Sequence, residues 1–356
     1  MTGKRLALLR QAMVGEGLDC LVVTGQANRR YLSGFTGDQG VLVVTRTDVL
    51  LFTDFRYVEQ AGAEAPGVSV RRCARQYLPD VAAWLSAEGG GRIGIEAAHW
   101  SLADYQELVS RLPAERLVPT RGMVEKLRMR KEPAEIDCIA GAAAIADRAL
   151  ARLIPQVKPG ASEAELAALL DYLVRQEGGE GPAFTTIVAS GPRGALPHGT
   201  ASPKLLAAGE LVVIDFGACF GGYASDITRT FALGGAGEEE RRIYRIVAEA
   251  QARVLGMLRP GLACREADAA AREYIQAAGY GEFFGHGLGH SVGLEIHESP
   301  ALSETAEEIL APGMVVTVEP GIYLPGRMGV RIEDLVVIEE AGCRILTGSP
   351  KELTAL

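Results

Sequence analysis

Short apolar runs that read as strands (LDCLVVTG, GVLVVTRT, VLLFTDF, RIGIE) alternate with helical patterns such as SLADYQELVSRL through the first part of the chain. That alternation predicts an α/β domain with a mixed or parallel sheet. From Lys131 the rhythm lengthens: apolar Ile136, Ile139, Ala143, Leu150 and Ile154 predict one long helix over roughly residues 132–154. The change divides the sequence into an N-terminal domain over 1–125 and a second domain over 126–356, with the boundary falling between 120 and 131.

The second region carries a faint internal repeat. RALARLIPQVKPGASEAEL recurs about 101 positions later as EAQARVLGMLRPGLACREA: a helix, a Pro-Gly stop, then another helix. Ser162 and Glu165 form an S-x-x-E capping box for the second helix of the first copy. Two related halves predict a seam between them.

Composition narrows the classes. A chain of 356 residues, 48% apolar and 23% charged, suits two globular domains. Its net charge of -9 offers no basic footprint for nucleic acid and favours a small neutral or cationic substrate, or a metal ion. The six cysteines are dispersed without a C-x-x-C, as expected in a reducing cytoplasm. Charged residues interrupt MTGKRLALLRQAMVGEGLDC, and nowhere do 18 apolar residues run together. A soluble cytoplasmic protein, without a membrane partner, is expected.

The chemistry concentrates late in the chain. FGHGLGHSVGLEIHE holds His286, His290 and His297, three of the five histidines, and its glycines argue against the H-E-x-x-H helix of a zinc protease. His99, at a helix entry, reads as structural. Carboxylates answer the histidines. In ELVVIDFGACFGGYASDITRTF, Asp215 ends one strand-like run and Asp226 opens the next, as on a hairpin. MVVTVEPGIYL and MGVRIEDLVVIEE place Glu319 and Glu333 in strand contexts, where buried glutamate calls for a partner. Oxygen-rich ligands with one imidazole suit a pair of divalent ions about 3.5–4 Å apart, with manganese favoured and cobalt or zinc open.

The ordered set VVIDFGA, SDITRT, GHGLGHSVGL, VEPGIY and VRIEDL resembles the Xaa-Pro peptidases, the prolidases and aminopeptidases P of the pita-bread metallopeptidases. NRRYLSGFTGDQGVLVVTRTDVLLFTDFRY resembles their creatinase-type N-terminal domain, so the likeness covers nearly the whole chain. The resemblance implies an α/β N-terminal domain followed by an α+β pita-bread catalytic domain. It implies metal ligands Asp215, Asp226, His290, Glu319 and Glu333, with Asp226 and Glu333 bridging two ions. Glu319 would also relay a proton. His198 in ALPHGT would sit near the scissile carbonyl, His297 would stabilise the tetrahedral intermediate, and His286 would lie beside the proline pocket. Arg331 is expected to hydrogen-bond a ligand carboxylate.

The resemblance further implies small Xaa-Pro peptides as substrates and a homodimer. Dipeptidase activity is the leading reading. A dipeptide's C-terminal carboxylate would need a cation, for which Arg29, Arg30, Arg46 and Arg56 are candidates. Aminopeptidase P activity on longer peptides is the alternative. Methionine aminopeptidase and a non-catalytic binding module on the same fold stand behind both.

Overall fold

The structure, a computed structural model, describes residues 2–74, 76–89 and 91–356. Contacts gather these residues into two units, one ending at Arg128 and the other running Met129–Leu356. No helix among the described residues is long and apolar enough to cross a membrane.

The first unit is built on a six-stranded sheet. Its spatial order is Ser69–Arg72, Val49–Thr53, Val41–Thr45, Cys20–Val23, Ile93–Glu96 and Leu117–Thr120. Val41–Thr45 pairs antiparallel on both sides, and the remaining neighbours pair parallel. Cys20–Val23 and Ile93–Glu96 are buried along their whole length, which is why they read as unbroken apolar runs. Glu96, at a strand end, accepts from Thr24 N at 2.7 Å and Gly25 N at 2.9 Å, serving the otherwise unpaired donors where the Gln26–Ser33 helix begins. His99 Nε2 is paired with Glu125 Oε1 at 3.0 Å.

In the second unit the long helix runs Pro133–Leu153, opened by Pro133 and a Glu132/Glu135 capping box. It packs on Glu163–Gln176, whose own box is made by Ser162 and Glu165, while Glu238–Met257 packs on Cys264–Ala277. The first pair covers a sheet of Ile187–Ser190, Leu211–Phe216 and Ile227–Ala232. The second accompanies a five-stranded sheet that includes Gly289–Ser291, Val315–Val318 and Asp334–Glu339.

The halves repeat in their hydrogen bonds as well as their helices. Gly160 N donates to Leu206 O and Leu206 N to Ala161 O; Gly261 N donates to Leu310 O and Leu310 N to Leu262 O. These positions are 101 residues apart on one side of each bond and 104 on the other. Asp215 and Glu319 share the larger offset, so each half brings one acid from an equivalent strand.

Candidate metal centre

In Leu211–Phe216, Val212, Ile214 and Phe216 turn into the apolar core, which by the two-residue alternation of a strand leaves Asp215 on the opposite face. Thr228 stands across from it in the antiparallel register, and Asp226 precedes that strand. Glu319 follows Val315–Val318 and Glu333 precedes Asp334–Glu339. Both positions correct the sequence expectation of glutamates within strands, since each lies just outside one. The chain changes pairing partner there: Val318 pairs with Asp334, but Gly321 pairs with Arg331 in a separate two-stranded sheet. The glutamates therefore sit in facing breaks of the two strands, released from the ladders. Glu333 N instead donates to Thr228 O at 3.1 Å.

These side chains line a cavity of about 590 Å³ together with His198, His286, His290, His297 and Arg331. Ligand atoms of Asp215, Asp226 and Glu333 all lie within 4.8 Å of one another. Each carboxylate keeps one buried oxygen without a hydrogen bond, Asp215 Oδ1, Asp226 Oδ1 and Glu333 Oε1. Two of the other oxygens are held: Arg331 Nη2 donates to Asp215 Oδ2 at 2.6 Å, and Thr228 Oγ1 to Glu333 Oε2 at 2.7 Å.

Burial, with repulsion from Glu333 and Asp215, pushes Asp226 well above the usual aspartate range. Burial and the charges of Glu319 and Asp215 do the same to Glu333, and burial raises Glu319 to about 7. Buried carboxylates crowded in this way are stabilised by a cation, and the three orphaned oxygens are donors of the hard type that divalent ions take. The residues fit a metal.

His290 Nδ1 faces Ser291 O at 3.1 Å and so carries the proton, leaving Nε2 as an acceptor 3.5 Å from Asp226 Oδ2 and 3.4 Å from Glu319 Oε1. Burial lowers its pKa, favouring the neutral ring that ligates metals. His297 packs edge-on against it, ring centroids 4.4 Å apart, and is likewise lowered, by burial first and then by His290. His286 donates from Nδ1 to Gly287 O and accepts at Nε2 from Tyr323 Oη at 2.9 Å, burial lowering it to about 4. His198 lies exposed at the mouth, on a loop that approaches Gly329 so closely that a Cβ there would stand 1.8 Å from Gly194 O.

All five expected ligands and the other three histidines thus line one cavity, with Arg331 on Asp215. Residues not anticipated are Tyr323, which accepts from Arg331 Nη1 at 2.7 Å, and the hydroxyls of Thr228 and Thr317 that hold Glu333 and Glu319. Tyr323 lies two strand positions beyond Gly321, behind Glu319, in VEPGIYL; its apolar setting gave no sign of a polar partner. Three of the expected carboxylate-binding arginines are already engaged. Buried Arg29 donates to the carbonyls of Thr24, Gly37 and Gly40, while Arg46 pairs with Asp19 and Arg56 with Asp54.

Residues 137–340 match metallopeptidase family M24, and residues 5–130 match the creatinase/prolidase N-terminal domain. The chain belongs to family M24. Among solved M24 relatives, an Xaa-Pro dipeptidase from Bacillus anthracis is 43% identical with a TM-score of 0.97, covering 100% of both chains. An X-Pro aminopeptidase from Thermotoga maritima is 39% identical with a TM-score of 0.91, covering 99% of both. A curated Xaa-Pro dipeptidase of Pyrococcus horikoshii is 38% identical over 339 residues, 94% of each chain. Architecture and family agree with the resemblance read from the sequence.

Proposed function

We propose that this M24 metallopeptidase is an Xaa-Pro dipeptidase that uses a dinuclear metal centre. The observation that carries the metal chemistry is the trio of buried, unpartnered carboxylate oxygens facing one cavity. The Xaa-Pro preference rests on the relatives. Asp215, Asp226, His290, Glu319 and Glu333 would hold two divalent ions, with manganese the leading candidate over cobalt or zinc. Bound there, such ions polarise the substrate carbonyl and make water acidic near neutral pH.

The chain's own groups complete the reaction. Glu319, lining the cavity and held by the Thr317 hydroxyl, would accept a proton from the attacking water and return it to the departing proline nitrogen. His297 offers an N–H to the oxygen that gains charge, and His198 reaches the same carbonyl from the cavity mouth. His286, both nitrogens occupied, presents its ring as a wall to the pyrrolidine. A dedicated site suits the X-Pro bond because its nitrogen, closed into a ring, bears no hydrogen and fixes the local backbone. A cytoplasmic location is carried over from the sequence reading. A homodimer is carried over from the resemblance and is tested by light scattering.

One observation favours the second reading, an Xaa-Pro aminopeptidase. Among the described residues Arg331 is the single Lys or Arg lining the cavity, and Asp215, Thr228 and Tyr323 engage it, so no uncommitted arginine or lysine among them faces a dipeptide carboxylate there. Initial rates on Ala-Pro, Ala-Pro-Ala and Ala-Ala, with chelator-stripped protein reloaded with manganese, cobalt or zinc, decide. Metal-dependent cleavage of Ala-Pro alone supports the dipeptidase. Faster cleavage of Ala-Pro-Ala gives the aminopeptidase, and no turnover with any metal overturns both.

A further inference from the structure

We infer that Lys131 is a positioning residue that holds His290 and His297 in register from behind. Its Nζ donates to Ser291 Oγ at 2.7 Å and approaches Glu298 Oε2 at 3.2 Å, and its side chain is 1% exposed. Those two partners follow His290 and His297 directly in sequence. Ser291 and Glu298 are partners in the antiparallel register, so a tie between them sets the spacing of the backbone from which the adjoining His290 and His297 side chains project.

The tie falls where the pairing would otherwise be loosest. Gly289–Ser291 pairs antiparallel with Glu298–Leu302, and the register shifts between His290 and Ser291. Bulges of this kind re-aim side chains and interrupt the ladder, so a cross-strand link at that point determines which way the rings face. The lysine is itself anchored. Its N–H donates to Gly313 O at 2.8 Å, and Gly313, at φ +85°, lies so close that a Cβ would stand 2.9 Å from Lys131 O. Gly313 N in turn donates to Ile338 O, connecting the lysine backbone to the five-stranded sheet.

Packing alone does not explain the residue. A buried ammonium and carboxylate are costly to desolvate, and apolar residues of similar volume fill such a space at least as stably. What the charged pair adds is direction. The inference rests on the proposed roles of His290 as ligand and His297 as carbonyl partner.

The test compares the full-length wild type with Lys131→Met, Lys131→Met/Glu298→Met and Ser291→Ala. Manganese affinity of stripped protein, kcat and KM on Ala-Pro, and melting temperature are measured for each. Lys131→Met is expected to bind manganese about 10-fold or more weakly and to lose kcat by a similar factor, with KM changed less. The double variant, which also removes the buried carboxylate that lost its lysine, is expected to regain melting temperature without regaining affinity or kcat. Recovery of both with stability would show a merely structural lysine and overturn the inference, as would wild-type affinity and kcat in Lys131→Met. If the lysine variants do not fold, Ser291→Ala decides: a few-fold loss of affinity supports the tie, and none refutes it. If wild type binds manganese but cleaves nothing, the function reading fails while the affinity comparison still tests the lysine.

Discussion

Arg331 Nη2 stands 2.6 Å from Asp215 Oδ2, while Oδ1 of the same carboxylate has no hydrogen-bond partner among the described residues. The guanidinium holds the acid by one oxygen and leaves the other for a cation. It is itself fixed by Thr228 Oγ1 at 3.0 Å and Tyr323 Oη at 2.7 Å, a three-way fit that needs the planar fork of arginine.

Arg331→Lys should therefore behave as a damaging change. A lysine reaches one of those partners, so Asp215 loses its fixed orientation. Manganese affinity is expected to fall about 10–100-fold, as for other residues that orient ligands, and isothermal titration of stripped protein measures it. Affinity within twofold of wild type would refute the role.

Stripping the metal should lower the melting temperature, because the crowded carboxylates then lack a counter-charge. Manganese at about 100 times its Kd is expected to restore roughly 2.7 kcal/mol, on the order of 5–10 °C for a unit of this size. Glu333→Ala should abolish both that shift and turnover. A manganese titration followed by scanning calorimetry and Ala-Pro hydrolysis checks the pair.

Tyr323→Phe removes the hydroxyl between His286 Nε2 and Arg331 Nη1. Leaving buried groups unpaired costs about 1–3 kcal/mol of stability. Since His286 forms a cavity wall, KM for Ala-Pro should rise by a larger factor than kcat falls. Equal changes in both, or none, would speak against a positioning role.

Glu163 ties the start of its helix to the loop preceding His198. Burial would raise its carboxyl, but the Ser202 hydroxyl, the Ser190 N–H and hydroxyl, and Arg193 outweigh burial and hold it below the ordinary glutamate value. A depressed folded-state pKa means that its stabilisation is present above the unfolded value near ~4.3 and is lost as pH falls through the lower folded value. Glu163→Gln should thus cost about 1–3 kcal/mol at pH 7, with the gap to wild type narrowing below about pH 4. Urea midpoints at both pH values measure this.

Much of this arrangement is legible in the chain. Apolar runs marked the central strands of the first unit because both their faces are buried, and the spacing from Ile136 to Ile154 marked the long helix through its apolar stripe. The acids stood out because they interrupt strands. Glu319 and Glu333 were misplaced by that same logic: alternation runs on through a change of pairing partner, which depends on distant residues. Lys131 was hidden for a different reason. It lies in the charged stretch RMRKEPAE, and only the folded chain brings it against Ser291 and Glu298, far away in sequence.

The internal repeat has a practical consequence. Residues 233–237 connect the halves outside any helix or strand, with Asp215 and Asp226 before them and His290, Glu319 and Glu333 after. Contacts that cross this point, including Arg229 to Asp334 and Ala232 N to Thr354 O, do not require the connection itself. A chain opened there would yield two polypeptides, each with an incomplete coordination set and neither competent alone. Peptidase activity would then report their reassociation, making the protein a natural template for a split-enzyme sensor.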